Sequence, residues 1–372
     1  MTWGLEKMAY FDPVSEEAEM LRASAERFVS EHYLAEKRRA RLTGPVEARP
    51  AHWPAFAELG WLGAPYAEDD GGLGLALVDI APMMEAFGAG LVLEPYIPAV
   101  LHCGTFLGIA LDRAWRKAAV APLIEGQRLD ILAAPPAAAS TDEPLRADSK
   151  TARWRISGTL SVLPGGAWAD GFWVPAETPS GLALFRVEAS DADRRALRLI
   201  DGTVAASVRF EDAPAEPVDL VVDLEQALDD ASAIRLAAAC ADAVGAMDRM
   251  LRETVDYVGA REQFGKQLGK FQVVQHALAD LLVALEEARS MAELAAHVAV
   301  EHERPRRNAL LAAARLKVGE SARAVAHGGI QFHGGMGVSD EVEASHLAKR
   351  LLAFDTLYGR RDAHLATFQA AA

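Results

Sequence analysis

The sequence predicts an α+β protein in which a small β-domain separates two helical domains. Two observations support this prediction. Apolar residues recur at helical spacing towards both ends of the chain, whereas from Ile131 onwards they alternate, and glycine and proline become frequent. We therefore divide the 372 residues into an N-terminal α-helical domain (1–128), a central β-domain (129–222) and a C-terminal helical bundle (223–372).

The N-terminal domain opens with a helix signal. Asp12 and Pro13 are typical of an N-cap and a first-turn proline, and Leu21 and Ala25 then recur on one helical face. Five glycines between residues 60 and 74 predict a loop, after which a second helix is expected to start at Val78.

Strand signals follow in the central region. Trp154, Ile156, Leu160 and Val162 alternate with polar or small residues, which predicts that these four side chains share one face of a strand. A second alternating segment lies near Val208. We interpret the region as a small antiparallel β-domain.

Helical spacing returns in the last third of the chain. Three stretches, 229–261, 271–302 and 308–326, combine apolar residues at helical spacing with few breakers, and Pro305 bounds the second of them. Long helices side by side form a bundle.

Composition excludes several classes of function. Acidic residues outnumber basic ones by 53 to 38, for a net charge of −15, which disfavours nucleic-acid binding. The 51% apolar content argues against disorder, and Cys103 and Cys240 lie far apart, so that no disulfide framework is indicated. Because no signal peptide or membrane span is evident, we expect a soluble cytoplasmic protein.

Two segments carry a family resemblance. They are 257–265 (YVGAREQFG), continuing to Phe271 and Gln272, and 330–337 (IQFHGGMG). Both resemble motifs of the acyl-CoA dehydrogenase family, and weaker matches follow the family order along nearly the whole chain. The sequence is similar in particular to the small-subunit type of bacterial heteromeric enzymes such as pimeloyl-CoA dehydrogenase.

The resemblance implies a fold, a reaction and a cofactor. The fold would comprise an N-terminal helical domain, a central β-barrel-like domain and a C-terminal four-helix bundle, usually assembled as a tetramer. The reaction would be FAD-dependent α,β-dehydrogenation of an acyl-CoA thioester. A carboxylate would remove the α-proton while the flavin takes the β-hydrogen as hydride.

In the resembling enzymes FAD lies across a subunit boundary, and the C-terminal domain holds much of its ADP half. An arginine fork can pair with pyrophosphate, and glycine lets backbone amides approach a ligand closely. The cofactor-binding candidates that the resemblance assigns here are Arg261, Gln263, Phe264, Gln272, Gln331, Gly334 and Gly335.

The catalytic half departs from the family. Tyr358 stands at the usual position of the base and Arg235 at the alternative one. Neither is suited to the role, because a guanidinium holds its proton at any working pH and the ordinary pKa of tyrosine is about 10. The sequence therefore assigns no catalytic base with confidence.

Other positions of the catalytic half are changed as well. The family's arginine near the thioester and its neighbouring aspartate fall at Leu236 and Ala233. Two segments next to the flavin become 133–136 (AAPP) and 162–164 (VLP), and Pro164 lacks a backbone N–H.

We interpret this division as that of a heteromer, in which the chain lends half of an FAD site to a larger homologous subunit that supplies the carboxylate, in a heterotetramer. The substrate would be a dicarboxylic, steroid-derived or other bulky acyl-CoA. Two alternatives stay open. One is a homomeric dehydrogenase that uses Asp355, Asp362 or Tyr358 as base, and the other is a flavin-free structural subunit.

Three further features are given structural interpretations. His327, His333 and His346 lack a tight metal-ligand spacing, so no metal site is predicted. The basic run 37–41 is expected to be the exposed end of a helix. The tryptophans at 154, 168 and 173 are expected in the β-domain core.

Overall fold

A computed structural model of the chain describes residues 15–134, 144–150 and 153–371. Asp12, Pro13, Pro135 and Pro136 lie outside the described residues. Three regions follow one another: helices, a closed set of strands, and a second group of longer helices.

In the described part of the N-terminal region, from residue 15 onwards, the main elements are six α-helices and a π-helical segment, Ile97–Gly104. The first helix is capped by Ser15, whose hydroxyl accepts a hydrogen bond from the Ala18 backbone N–H at 3.1 Å. The helices are α1 (Glu16–His32), α2 (Ala35–Leu42), α3 (Trp53–Glu58), α4 (Leu77–Gly90), α5 (Thr105–Ala110) and α6 (Arg113–Ile124).

The central region is a closed barrel with two additional strands. Its strands are β1 (Asp130–Leu132), β2 (Arg146–Lys150), β3 (Arg153–Pro164), β4 (Gly171–Thr178), β5 (Gly181–Glu188), β6 (Asp193–Arg198) and β7 (Val204–Val218). Pairing runs β4-β2-β3-β7-β5 and returns to β4, while β1 pairs with β4 and β6 with β7. The β-barrel-like domain expected from the resemblance is confirmed.

The C-terminal region is the expected four-helix bundle with a small hairpin. Its elements are α7 (Leu224–Ala260), β8 (Glu262–Gln263), β9 (Lys266–Gln267), α8 (Gln272–Val298), α9 (Arg304–His333), α10 (Glu343–Leu357) and α11 (Arg361–Ala370). Helices α7 to α10 pack against one another. The alanine-rich inner face of α7 allows this close packing. Pro305 ends no helix; it occupies the first turn of α9, where its missing N–H leaves no hydrogen bond unmade.

Two sequence expectations are corrected. Arg38, in the basic run expected to be exposed, is 2% exposed and donates a hydrogen bond to the Asp201 carbonyl at 2.9 Å. Val162 is 43% exposed and Leu163 is buried instead, because a register shift between Leu160 and Leu163 interrupts the alternation of β3. Trp168 and Trp173 are buried, as expected, and Trp154 is partly buried.

Helices α4 and α7 approach each other at backbone distance. A Cβ atom at Gly88 would overlap the carbonyl oxygen of Asp242, and one at Gly245 would overlap that of Glu85. Only glycine permits this contact, which joins the N-terminal helices to the bundle. No helix in the described ranges is long and apolar enough to cross a membrane.

Replacing Gly245 by alanine should lower the free energy of unfolding by about 1–3 kcal/mol or more, because the backbones of α4 and α7 must separate to admit the methyl group. Urea denaturation measures the change. Gly108 is the matched control, since it lies in α5 with open space at its Cβ position. Gly108→Ala should be neutral or stabilising. Equal effects of the two variants would contradict the role of the contact.

Candidate cofactor surface and cavity

The first cofactor motif forms an exposed hairpin at the end of α7. Arg261 caps that helix, and β8 and β9 follow it. Phe264 and Gly265 form the turn with φ of +54° and +82°, and the Phe264 side chain is 87% exposed. A bulky residue at positive φ is strained, and such strain is often found at binding sites.

The second cofactor motif lies at the same end of the bundle. Tyr257, one turn before Arg261, stacks on His333 with ring centroids 4.4 Å apart. Gly334 and Gly335 follow His333 directly, and both are exposed with open space at their Cβ positions. The stacked pair therefore links the two motifs that the sequence analysis assigned to one site.

The resulting surface fits the ADP half of a dinucleotide. All seven candidates, Arg261, Gln263, Phe264, Gln272, Gln331, Gly334 and Gly335, are exposed. Among the residues that the structure describes, none forms an ion pair with Arg261, so its guanidinium is available to a pyrophosphate. The candidates lie on an exposed surface, and none of them lines one of the described cavities.

A cavity of about 90 Å³ lies at the junction of the three regions. Its walls come from α4 and the segment that follows, the π-helical segment, β1, the end of β3, α7 and α10. Most of the lining is apolar, with Phe87, Ile97 and Phe354 as examples. Small-molecule sites are usually about 300–1,000 Å³ in volume, so this cavity is narrow.

Arg235 and Tyr358, the two positions at which the resemblance predicts a base, both line this cavity. The guanidinium carbon of Arg235 lies 5.4 Å from the centre of the Tyr358 ring, a cation–π contact. Burial raises the pKa of Tyr358 to about 12, so that the phenol keeps its proton near neutral pH. Burial lowers the pKa of Arg235, but a guanidinium still remains protonated there.

The carboxylates that line the cavity were not singled out from the sequence. Asp242 lies two turns after Arg235 on α7, and Asp201 lies in the turn between β6 and β7. Arg350 of α10 pairs with both aspartates, with distances of 2.8 and 2.9 Å to Asp242 and 2.8 Å to Asp201. Their oxygens are therefore occupied by a structural ion pair.

Two further buried groups line the cavity. The Glu94 carboxylate accepts hydrogen bonds from the Tyr33 hydroxyl and, at 3.3 Å, from the His52 backbone N–H. Burial raises the pKa of Glu94 to about 7. His102 is 6% exposed and its Nε2 has no hydrogen-bond partner. The spacing of α7 could have indicated Asp242, but no local signal indicated Glu94 or His102.

The two alternative bases of the homomeric interpretation lie elsewhere. Asp355 pairs with Arg315 at 2.8 Å and with Arg323 at 2.5 Å, and these partners lower the pKa of its carboxyl despite partial burial. Asp362 is exposed and pairs with Arg360 at 2.7 Å. Neither aspartate lines the cavity.

The flavin-side segments are described only in part. Val162, Leu163, Pro164 and Ala134 line the cavity, while Pro135 and Pro136 lie outside the described residues. Ala233 is buried away from the cavity lining. Leu236, next to Arg235, does not line it either.

Comparisons with known proteins agree with this architecture. The family model described as "Acyl-CoA dehydrogenase, N-terminal domain" matches residues 15–110, and the one described as "Acyl-CoA dehydrogenase, C-terminal domain" matches residues 230–372. Together they span more than half of the chain. The chain belongs to the acyl-CoA dehydrogenase family, whose members are FAD-dependent oxidoreductases acting on acyl-CoA.

Individual relatives match most of the length of the chain. "Acyl-CoA dehydrogenase IpdE2" of Mycolicibacterium smegmatis is 28% identical over 342 residues, covering 91% of this chain and 93% of that protein. The ChsE4-ChsE5 complex of Mycobacterium tuberculosis contains a chain with a TM-score of 0.87 at 23% identity, covering 96% and 97% of the two chains. A glutaryl-CoA dehydrogenase of Mycobacterium smegmatis in complex with FADH2 gives 0.84 at 20% identity, covering 96% and 95%.

The raised pKa of Glu94 predicts a pH-dependent stability. Because the folded chain holds this proton more tightly than the ordinary value of 4.5 implies, the stabilisation is complete below pH 4.5 and is lost as the pH rises through about 7. In the Glu94→Gln variant, the decrease in the free energy of unfolding between pH 4.5 and pH 7 should be smaller by about 3 kcal/mol. Urea denaturation across this pH range measures it. Glu47→Gln, at an exposed position, is the control. If the free energy of unfolding depended on pH equally in both variants, the assignment would be contradicted.

Proposed function

We propose that this chain is a subunit of a heteromeric, FAD-dependent acyl-CoA dehydrogenase and that it contributes half of a shared FAD site. The observation that supports this proposal is the contrast between the exposed surface around Arg261 and the cavity next to Tyr358. Arg261 is exposed and forms no ion pair with a described residue, whereas the cavity next to Tyr358 is narrow and its described carboxylates, Asp201, Asp242 and Glu94, are all held by arginines. In this proposal the isoalloxazine ring and the acyl-CoA lie mainly in a larger homologous subunit.

The chemistry of the cavity supports this division. Removal of an α-proton needs a base whose pKa lies near the working pH. Tyr358 keeps its proton, Arg235 is a cation, and the two cavity aspartates are held by Arg350. Glu94 has a pKa of about 7, but its carboxylate is held by hydrogen bonds from Tyr33 and the His52 backbone and by an ion pair with Arg41. The partner would therefore supply the carboxylate, and a heterotetramer would carry half as many flavins as subunits.

Arg261 has a defined task in this proposal. It would pair with a pyrophosphate oxygen of FAD, with Gln272 and Gln331 as further hydrogen-bonding groups on the same surface. Phe264 would cover an apolar part of the ADP half. A second subunit would cover the other side of the dinucleotide, because the candidate residues lie on an exposed surface of this chain.

Flavin content tests the proposal. The chain purified alone should be colourless. Co-expressed with a larger homologous subunit, it should yield a yellow complex with about one FAD per pair of subunits. Arg261→Gln should lower the flavin content of the complex at least about tenfold at limiting FAD, since a charged hydrogen bond to pyrophosphate is lost. Visible absorbance after gel filtration measures both quantities.

Arg113→Gln is the matched control, because Arg113 is an exposed arginine of α6 whose replacement removes the same charge elsewhere. It should leave the flavin content unchanged. A lone chain with close to one FAD each would overturn the shared site and favour the homomeric alternative. Unchanged flavin occupancy in Arg261→Gln would favour the flavin-free structural subunit.

A further inference from the structure

We propose that a second cavity, between the loop 43–52 and the barrel, binds a small monocarboxylate that carries one six-membered ring. This cavity has a volume of about 150 Å³. The carboxylate accepts hydrogen bonds from Trp168 and Arg198, and the ring lies against the apolar part of the wall. The inference concerns a single chain and does not rest on the shared FAD site.

The second cavity is distinct from the cavity beside Tyr358. Its walls come from the end of α2, the loop 43–52, the segment after α4 and the barrel, and no described residue of the helical bundle lines it. Leu93, Glu94 and Val204 line both cavities, so these three residues form the wall between them. The second cavity therefore belongs to the contact between the N-terminal region and the barrel alone.

The first polar group of the second cavity is the indole of Trp168. It lies in a short 3-10 turn, Gly166–Trp168, between β3 and β4 and is 8% exposed. Its Nε1 has no hydrogen-bond partner among the residues that the structure describes. An indole N–H can only donate, and a buried donor normally has an acceptor. Trp168 therefore indicates an acceptor that the chain itself does not supply.

The second polar group is the guanidinium of Arg198, at the end of β6. Its Nη1 donates to the Gly202 carbonyl at 3.4 Å and its Nη2 to the Gly44 carbonyl at 3.0 Å. A guanidinium has five N–H donors, so further donors remain for a ligand. No carboxylate in the described part of the chain forms an ion pair with Arg198. A half-buried cation of this kind favours an anionic ligand.

The other charged side chains that line the second cavity are paired. Arg41 lies 3.4 Å from the Glu94 carboxylate, and Arg49 donates two hydrogen bonds to Asp170, at 2.9 and 3.0 Å. Among the described lining residues, Arg198 is then the charge without a counterion. One additional negative charge balances the cavity, which matches a monocarboxylate and not a dicarboxylate.

The size and the wall of the second cavity determine the rest of the ligand. An apolar cavity of about 150 Å³ accommodates benzene, and hence one six-membered ring. The two oxygens of a carboxylate can accept one hydrogen bond each from two different donors, here Trp168 and Arg198. The apolar lining residues are Pro45, Val46, Pro50, Leu93 and Val204. The ligand class is therefore an aromatic or alicyclic monocarboxylate.

The loop 43–52 provides the entry path. Arg198 holds it to the barrel at Gly44, and the ion pair between Arg49 and Asp170 holds it near its other end. The side chain of Arg49 is exposed, and exposed ion pairs contribute little to stability. This end of the loop can therefore open to admit a ligand and close over it.

Titration calorimetry on the purified full-length chain tests the proposal, with benzoate as the probe at neutral pH. We expect one site per chain. Benzamide has the same shape without the charge and should bind at least about tenfold more weakly. Acetate lacks the ring and should also bind at least about tenfold more weakly. Absence of benzoate binding, or equal affinities for benzoate and either of the other two probes, would overturn the proposal.

Variants locate the benzoate site. Arg198→Gln should weaken benzoate binding about 10- to 100-fold, because a charged hydrogen bond is lost. Trp168→Phe keeps an aromatic ring but loses the N–H, and should weaken binding about three- to tenfold. Arg195→Gln is the matched control, since Arg195 is an exposed arginine of the same strand and does not line the cavity. It should bind benzoate unchanged.

A last variant distinguishes the two cavities. Arg235→Gln changes the cavity beside Tyr358 and should leave benzoate affinity unchanged, whereas a loss of affinity there would overturn the assignment. Circular dichroism establishes that each variant is folded, and if Arg198→Gln is not, Trp168→Phe decides. Full benzoate affinity in a folded Arg198→Gln or Trp168→Phe would also overturn the assignment, whatever the flavin content of the complex.

Discussion

The placement of the three regions depends on one buried cation. Arg350 of α10 pairs with Asp242 of α7, with Asp201 in the turn between β6 and β7, and, at 3.3 Å, with the carbonyl oxygen of Val92 after α4. The bundle, the barrel and the N-terminal helices thus share one guanidinium. Removing one partner of a buried ion pair destabilises a protein by about 3–5 kcal/mol, because the remaining charge stays buried. The cavity forms at this junction, since the same residues line it.

Two kinds of charge distribution result from this arrangement. At the junction, Arg350 is paired with Asp201 and Asp242, and Arg41 with Glu94. At the far end of the bundle, the hairpin after α7 presents Arg261 and the exposed Phe264 outward. A paired interior holds a structure together, whereas an unpaired surface favours contact with a ligand or a subunit. This contrast distinguishes the two sites more clearly than their residue types do.

The sequence predicted what is local. The order of helices, strands and helices follows from periodicity, the barrel form of the strands was implied by the family resemblance, and both candidate cofactor motifs are contiguous in the chain. What it could not predict depends on distant partners. The sequence around Arg38 does not indicate that its side chain will be buried against the Asp201 carbonyl. Likewise, the alternation around Val162 does not indicate the register shift in β3 that exposes this side chain. Glu94 and His102 join the cavity only through the packing of the N-terminal region against the bundle.

The glycine contact between α4 and α7 has a consequence for folding. The contacting residues are separated by about 150 positions, with the whole barrel between them, and contacts of such long range form slowly. During synthesis the N-terminal helices emerge before α7 exists, so the face around Gly88 has no partner until the barrel has been made. The packing of the N-terminal helices is therefore completed only when α7 has been synthesised. A chain interrupted after the barrel would expose the face of α4 that α7 normally covers.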